Sequence, residues 1–404
     1  MKVVFINTLY APNEIGGAER AVRAMAESLV ASGDEAVVIT LAPDGKASVG
    51  EVNGVRVHYV PLFNVGFLHA RKPLPKWRRL LWHLVDSYNP IMGRRVQRIL
   101  EQERPDLVEC NNLQGFSVAV WRAAKRLGLP VMQVLHDYYL GCANSTMYRQ
   151  GRNCAAQCAD CRVLCAPRRR LSTIPSVVSA VSHRTLARIC GTGMFPAATP
   201  RSIGPTGIRL EQFSQAATSR AARRPGMLVV GYLGRIEPVK GVDLLLEAVS
   251  AMAPGRIIAL IAGGGDREYV DGLRTRFAAP NIEFLGVVDP ASVFARIDLL
   301  VVPSLWEEPL TRVIAEAYAA GVPVAVSRLG GMPEIVDEGR SGYVFEGGSV
   351  EAIRQLLEGL PDQPLSAPEQ VAWRIAKSAA FSVEAVYERH RALWQATASG
   401  TRSA

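Results

Sequence analysis

Apolar residues in this chain fall into short continuous runs separated by polar stretches of helical periodicity. Val3-Val4-Phe5-Ile6 has the length of a buried strand, and the turn residues that follow, Pro12, Asn13, Gly16 and Gly17, lead into a predicted helix over 18–29. A second strand, over 36–40, completes a strand–helix–strand unit. The pattern returns with Leu107-Val108-Glu109-Cys110, a predicted helix over 117–127 and a strand over 131–135. After residue 225, β-rich runs at 228–233, 257–261, 282–285, 299–302 and 322–326 alternate with helical segments. This alternation predicts an α/β fold of two doubly wound parallel sheets with helices on their faces. Residues 383–394 carry apolar positions at helical spacing and are expected to pack as a closing helix.

Length agrees with two cores, because 404 residues exceed what one core usually serves. Residues 191–226 are rich in Pro, Gly, Thr and Ser, lack periodicity until Arg209-Leu210-Glu211, and read as the linker. No uninterrupted apolar stretch of about 18 residues occurs, so a membrane-spanning helix is not expected, and residues 1–6 are too short for a signal peptide's apolar core. A cytoplasmic protein is the expectation. The formal charge of +9 favours phosphate-bearing ligands or anionic lipid surfaces. Residues 71–82, Arg-Lys-Pro-Leu-Pro-Lys-Trp-Arg-Arg-Leu-Leu-Trp, interleave cations with apolar groups. They are expected either to rest on an anionic membrane or to pack as an ordinary amphipathic helix. Nucleic acid is not an expected partner, since no recognised binding module accompanies the charge.

Open α/β sheets bind ligands beyond the carboxyl ends of their strands, so the loops there are the places to look for chemistry. Gly16-Gly17 would let the backbone approach a phosphate closely, or simply makes a tight turn that starts a helix. It is not the Gly-x-Gly-x-x-Gly dinucleotide fingerprint. The loop after 228–233 is Gly234-Arg235-Ile236-Glu237-Pro238-Val239-Lys240-Gly241, whose two cations can neutralise a diphosphate or can be solvated surface charges. The loop after 299–302 carries Glu308 and, after seven intervening residues, Glu316. With Pro309 in the first turn of a helix, Glu308 is expected at its cap and Glu316 roughly 12 Å along the axis. Carboxylates there accept hydrogen bonds from vicinal hydroxyls of ribose or hexose.

Taken together these residues resemble the retaining glycosyltransferases of family four, group 1, which have the GT-B fold of two Rossmann-like domains facing across a cleft. The resemblance rests on Gly16-Gly17, Gly234-Arg235 with Lys240-Gly241, Glu308-x7-Glu316, Ala319-Ala320-Gly321-Val322-Pro323-Val324, Gly330-Gly331-Met332-Pro333-Glu334-Ile335-Val336, Gly342 and the closing segment 381–394. It implies an acceptor-side domain over 1–205, to which helix 380–404 returns, and a donor-binding domain over 206–379. It implies that Arg235 and Lys240 hold the donor diphosphate and stabilise the departing charge. By the same resemblance Glu316 binds the ribose, Glu308 the hydroxyls of the donor sugar, and the backbone at Leu310 and Thr311 a phosphate or the sugar. Gly16, Gly17 and Gly234 line the donor, and His136 lies beside the transferred sugar. The chain has Leu310-Thr311 where the family usually shows Phe-Gly, and Thr206-Gly207-Ile208-Arg209 where it shows Asn-Gly-Val-Asp.

The implied reaction moves a sugar, with retention, from a nucleoside-diphosphate sugar to a glycan or lipid-linked acceptor, in surface polysaccharide or glycoconjugate synthesis. No Asp-x-Asp occurs, so a catalytic metal is not expected. Two other classes stay open: a sugar-nucleotide epimerase or phosphorylase on the same fold, and a non-catalytic nucleotide-sugar-binding partner. The run Cys154-x3-Cys158-x2-Cys161-x3-Cys165 could supply four thiolates, with Cys142 as an alternative ligand. Structural zinc is the first metal expected there, ahead of an iron–sulfur cluster, and fortuitous free thiols are the alternative to any metal.

Overall fold

A computed structural model describes residues 1–13, 16–66, 75–196, 199, 201–213, 226–253 and 255–402. The chain divides into two units, the first comprising Met1–Met147, Cys154–Gly207 and Val383–Ala404, the second Tyr148–Asn153 and Ile208–Ser382.

In the first unit the strands are Lys2–Ile6 (β1), Glu35–Leu41 (β2), Ser48–Val52 (β3), Val55–Val60 (β4), Leu107–Cys110 (β5) and Val131–Leu135 (β6). A two-stranded hairpin of Tyr148–Arg149 (β7) and Arg152–Asn153 (β8) belongs to the second unit, and Val177–Ala180 (β9) and Arg201–Ile203 (β10) complete the first. The eight-stranded sheet runs β10-β9-β6-β5-β1-β2-β4-β3 and is parallel except at β3. Central strands covered on both faces must be apolar throughout, and Val3, Val4, Phe5 and Ile6 of β1 are all fully buried. The helix Gly17–Ala31 lays Ala21, Val22, Met25, Ala26 and Leu29 on this core, the stripe its periodicity predicts.

The second unit is a six-stranded parallel sheet of Leu228–Leu233 (β11), Ile257–Ala262 (β12), Ile282–Gly286 (β13), Leu299–Val302 (β14), Val324–Ser327 (β15) and Gly342–Phe345 (β16), in the order β13-β12-β11-β14-β15-β16. Buried apolar residues form a core cluster on each of its faces.

Three local differences from the sequence reading have physical causes. The helix expected over 117–127 spans Ala119–Arg126, because Ser117 sits at φ +62°, outside helical space. The strand expected from Val322 begins at Val324, because the Val322 N–H is already bonded to Ala317 O, closing the preceding helix. The β3–β4 hairpin was not anticipated. Its signal was the Asn53-Gly54 pair, whose φ values of +50° and +80° suit a two-residue turn between alternating strands.

The closing helix, Val383–Arg402, belongs to the first unit although the whole second unit precedes it in sequence. Trp394 is fully buried, meets the Phe5, Tyr387 and His390 rings at centroid distances of 5.7, 5.9 and 5.7 Å, and donates its indole N–H to Glu109 Oε2 at 2.6 Å. Removing that side chain opens a cavity and strips a donor from a buried carboxylate. Trp394→Ala is therefore expected to cost about 3–5 kcal/mol in chemical denaturation; a loss under about 1 kcal/mol would mean the helix does not pack this way.

Candidate functional site

In an open parallel sheet the loops diverge where the strand order reverses, leaving a crevice at the carboxyl ends. In the second sheet the reversal lies between β11 and β14. The loops that leave those two strands are 234–241 and 303–311, the segments singled out in the sequence. They are in direct contact: Leu305 N donates to Val239 O at 2.9 Å, and a Cβ on Gly241, at φ +67°, would lie 2.1 Å from Pro303 O. Only glycine fits that approach.

This contact brings Lys240 to Glu308. The two form an ion pair, and Ser304 Oγ donates to the same carboxylate oxygen at 2.8 Å. Glu308 is 5% exposed, and Lys240 Nζ lies 5.6 Å from the centre of the Trp306 ring. Behind Glu308, Gly331 N donates to its carbonyl at 2.8 Å, and a Cβ on Gly330 would meet that oxygen at 2.0 Å. The β7–β8 hairpin braces the loop, with Asn153 Nδ2 donating to Leu305 O at 3.0 Å and Asn153 Oδ1 accepting from Glu307 N at 2.9 Å. Burial, and after it the nearby Glu308 charge, pushes the Tyr232 phenol far above its ordinary range.

Arg235 shares the loop with Lys240 but is turned to Glu237, at 2.7 Å, and its side chain is 57% exposed. Gly234 holds φ +154° at the strand end. The helix expected to open at Pro309 begins three residues later, as Arg312–Ala319, with Thr311 extended at its N-cap. Glu308 therefore lies on the preceding loop, where Gly331 and Ser304 hold it, and does not cap the helix. The Thr311 hydroxyl makes no capping bond, and Leu310 and Thr311 are both partly exposed. Glu316 lies one turn into this helix, 3.6 Å from Arg312 Nε.

In the first unit the reversal lies between β1 and β5. Gly16 N donates to Glu19 Oε2 at 2.9 Å and Gly17 opens the helix, so this turn is closed by its own capping carboxylate. His136 follows β6, its Nε2 2.8 Å from Asn111 Oδ1. Burial lowers its pKa to about 4, with the Glu109 charge acting the other way. Its neighbour Asp137 is pushed up to about 7, by burial first. A cavity of about 10 Å³, near the size of one water, is lined by His136, Asn111, Glu109, His390 and Thr206. Sequence reasoning missed Asn111, Glu109, His390, Ser304 and Trp306. One signal was available: Glu109 is the sole charge in the apolar run of β5.

Cys142 and Cys161 are buried with their sulfurs 4.0 Å apart. Among the described residues no group of three or more His, Cys, Asp or Glu is arranged to hold a metal ion. The Cys142 thiol is lowered to about 6, first by Cys161 and then, against burial, by the backbone N–H groups of Met147, Asn144 and Thr146. Cys158 interacts with Cys161, and Cys165 lies 3.9 Å from Arg168 Nη1.

The Gly330 approach is testable against an unconstrained helical glycine, Gly272, whose added Cβ would meet nothing within 4 Å. Gly330→Ala, at φ +65°, is expected to lose about 2 kcal/mol or more in denaturant titration. Gly272→Ala is expected to gain about 0.5–1 kcal/mol.

Comparison with known proteins bears on this geometry. The family model for glycosyl transferases group 1 matches residues 228–361, and that for the glycosyl transferase 4-like domain matches residues 16–199. An uncharacterized 42.6 kDa protein in the cps region of Klebsiella pneumoniae is 29% identical over 338 residues, 83% of this chain and 87% of that protein. The D-inositol 3-phosphate glycosyltransferase of Mycobacterium marinum is 34% identical over 172 residues, 38% of this chain and 35% of that protein. Sucrose-phosphate synthase from Thermosynechococcus elongatus superposes with a TM-score of 0.76 at 19% identity, covering 98% of both chains. Anabaena HepE, solved in complex with UDP and glucose, gives 0.68 at 20% identity, covering 98% of this chain and 100% of that one. Two Rossmann-like units, each with its loops gathered at a strand-order reversal, together with family matches over most of the sequence, assign the chain to the group 1, family-four-like glycosyltransferases of GT-B fold.

Proposed function

We propose that this glycosyltransferase transfers a sugar, with retention, from a nucleoside-diphosphate sugar to a hydroxyl of a glycan or lipid-linked acceptor. The observation that carries the reading is the Lys240–Glu308 pair, its carboxylate buried and its cation partly exposed, at the reversal of the second sheet. A cation and a carboxylate held together at a ligand crevice are prepared to exchange each other for a phosphate and for sugar hydroxyls. Arg235, exposed and on the same loop, turns from Glu237 to the diphosphate. Glu316 takes the ribose hydroxyls, the backbone at Leu310 and Thr311 meets a phosphate or the sugar, and His136 lies beside the transferred sugar. Gly16, Gly17 and Gly234 give close backbone approach.

In the transfer the bond from the anomeric carbon to the diphosphate oxygen breaks, and the acceptor oxygen bonds to the same face. The acceptor proton passes to the departing phosphate oxygen, whose charge Arg235 and Lys240 stabilise. HepE has been solved with UDP and with UDP-glucose, which favours a UDP-sugar donor here. The cps-region relative favours a role in polysaccharide synthesis.

The acceptor reading is supported by one surface. No described helix is long and apolar enough to cross a membrane. Yet six of the eleven exposed large apolar side chains among the described residues lie together: Trp77, Leu80, Leu81 and Leu84 on the helix Lys76–Ser87, and Phe63 and Val65 on a loop bonded to Trp82. Trp77 is 61% exposed, and Lys76, Arg78 and Arg79 share its helix. Residues 71–74 of the basic stretch lie outside the described residues. Basic residues around exposed Trp and Leu suit an anionic lipid surface, which would hold the enzyme at a lipid-linked acceptor.

Two experiments test these readings. In thermal-shift and hydrolysis assays with UDP-, GDP- and ADP-sugars, a UDP-sugar is expected to raise Tm in the wild type and not in Glu316→Ala. Lys240→Met is expected to lose about 100-fold or more in turnover. A folded chain unmoved by every donor would overturn the donor site. In vesicle co-sedimentation, binding is expected to phosphatidylglycerol-containing vesicles at low salt, weaker at high salt, and lost in the Trp77→Ser, Leu81→Ser double variant. No preference over pure phosphatidylcholine, or a self-associated dimer lost in the same variant, would overturn the membrane reading.

A further inference from the structure

The first unit contains a buried polar chain that the sugar-transfer reading does not use. It starts at Glu109, the single charge of β5, which is 1% exposed. The two carboxylate oxygens make separate contacts. Oε2 accepts the Trp394 indole N–H at 2.6 Å and lies 3.3 Å from His390 Nδ1, both groups coming from the closing helix. Oε1 accepts from Asn111 Nδ2 at 3.1 Å. Burial pushes the Glu109 carboxyl up, but His390, Trp394 and Asn111 outweigh it and hold the group ionised.

An ionised carboxylate can only accept hydrogen bonds. The Asn111 amide therefore has one possible orientation, with its NH2 toward Glu109 and its Oδ1 toward His136 Nε2 at 2.8 Å. An amide oxygen also only accepts, so the proton of that second bond must sit on His136 Nε2. With burial keeping the ring neutral near pH 7, the second nitrogen carries no proton.

We propose that Glu109 and Asn111 are positioning residues that lock His136 in its Nε2–H tautomer, so that the group it offers to a hydroxyl of the transferred sugar is the Nδ1 lone pair. Only the final clause rests on the reading of His136 as a sugar-side residue. The geometry also assigns the closing helix a second duty. Through Trp394 and His390 it keeps Glu109 charged and in place, and so acts on His136 through two intervening side chains.

The tautomer can be measured without any donor. The chain has six histidines, and long-range proton–nitrogen NMR spectra of the full-length protein labelled with ¹⁵N-histidine distinguish the two neutral forms of each. His136 is identified by the signal lost in His136→Gln. The expected wild-type result at pH 7 is a neutral ring protonated at Nε2. Glu109→Gln should turn its amide oxygen to the Trp394 indole N–H, which can only donate, and so present its NH2 to Asn111, reverse that amide and populate the Nδ1–H form; an unchanged tautomer in this folded variant would overturn the role of Glu109. Asn111→Leu, which removes the acceptor, should populate the Nδ1–H form. An Nδ1–H tautomer or a doubly protonated ring in the wild type would overturn the proposal, as would an unchanged tautomer in folded Asn111→Leu. If Asn111→Leu fails to fold, the wild-type and Glu109→Gln spectra decide. Once a donor is identified, Asn111→Leu should lower kcat about tenfold with KM within about twofold. An unchanged kcat beside an altered tautomer would overturn the link to the sugar. A wild type that binds no donor would overturn the transferase site and leave the tautomer result standing.

Discussion

A parallel strand cannot return its chain through a tight turn, and most of this structure follows from that constraint. Each strand must be followed by a crossover, so all carboxyl ends of a parallel sheet emerge on one edge and all the loops that leave them share it. Where the order reverses, between β1 and β5 and between β11 and β14, the chain leaves adjacent strands toward opposite faces, and the loops there are where an open sheet presents its ligand-binding groups. Residues distant in sequence then become neighbours. Val239 meets Leu305, Lys240 meets Glu308, and Asn111 meets His136, because their strands lie near one another in the sheet.

Burying charge at such an edge is costly unless every charge has a partner. The second unit meets this requirement with the Lys240–Glu308 pair, backed by Ser304, and with Arg374. Arg374 is fully buried and donates to the carbonyls of Gly321, Arg340 and Leu365 around the turn after the Arg312–Ala319 helix. In the first unit Asp86 and Arg168, both fully buried, pair at 3.1 Å while Tyr139 donates to the same carboxylate at 2.7 Å. These partners are mutual, so a ligand that takes one member of Lys240–Glu308 must also satisfy the other. A nucleotide sugar, with phosphate at one end and hydroxyls at the other, has the chemistry to do both.

The Glu109 chain meets the same requirement in a different way. Its partners are Asn111, His390 and Trp394, and they come from a strand end and from the last helix. A hydrogen-bond chain of acceptors and donors in fixed order carries directional information that a simple ion pair does not. That is why it can specify which nitrogen of His136 holds a proton, whereas the Lys240–Glu308 pair specifies only charge.

Fold class and the outline of the site were legible along the chain because both depend on local signals. Continuous apolar runs such as 3–6 and 228–233 marked strands buried on both faces, and glycines and cations at 234–241 marked a strand-to-helix turn. The β3–β4 hairpin carried its own turn signal in Asn53-Gly54, but β9 (Val177–Ala180), β10 (Arg201–Ile203) and β16 (Gly342–Phe345) carried little, since segments of three or four residues interrupted by Ser, Arg or Gly show no continuous apolar run. The position of Glu308 on a loop, the pairing of Arg235 with Glu237 and the approach of Cys142 to Cys161 were decided by packing. So was the partner of Glu109, because Trp394 is 285 residues away and no local pattern connects them. The sequence by itself determined which segments become strands and which loops bear charge, since periodicity and turn chemistry act over a few residues. Only the tertiary structure decided which charges meet and which protons they fix, because strand order and helix return bring together groups that the chain keeps far apart.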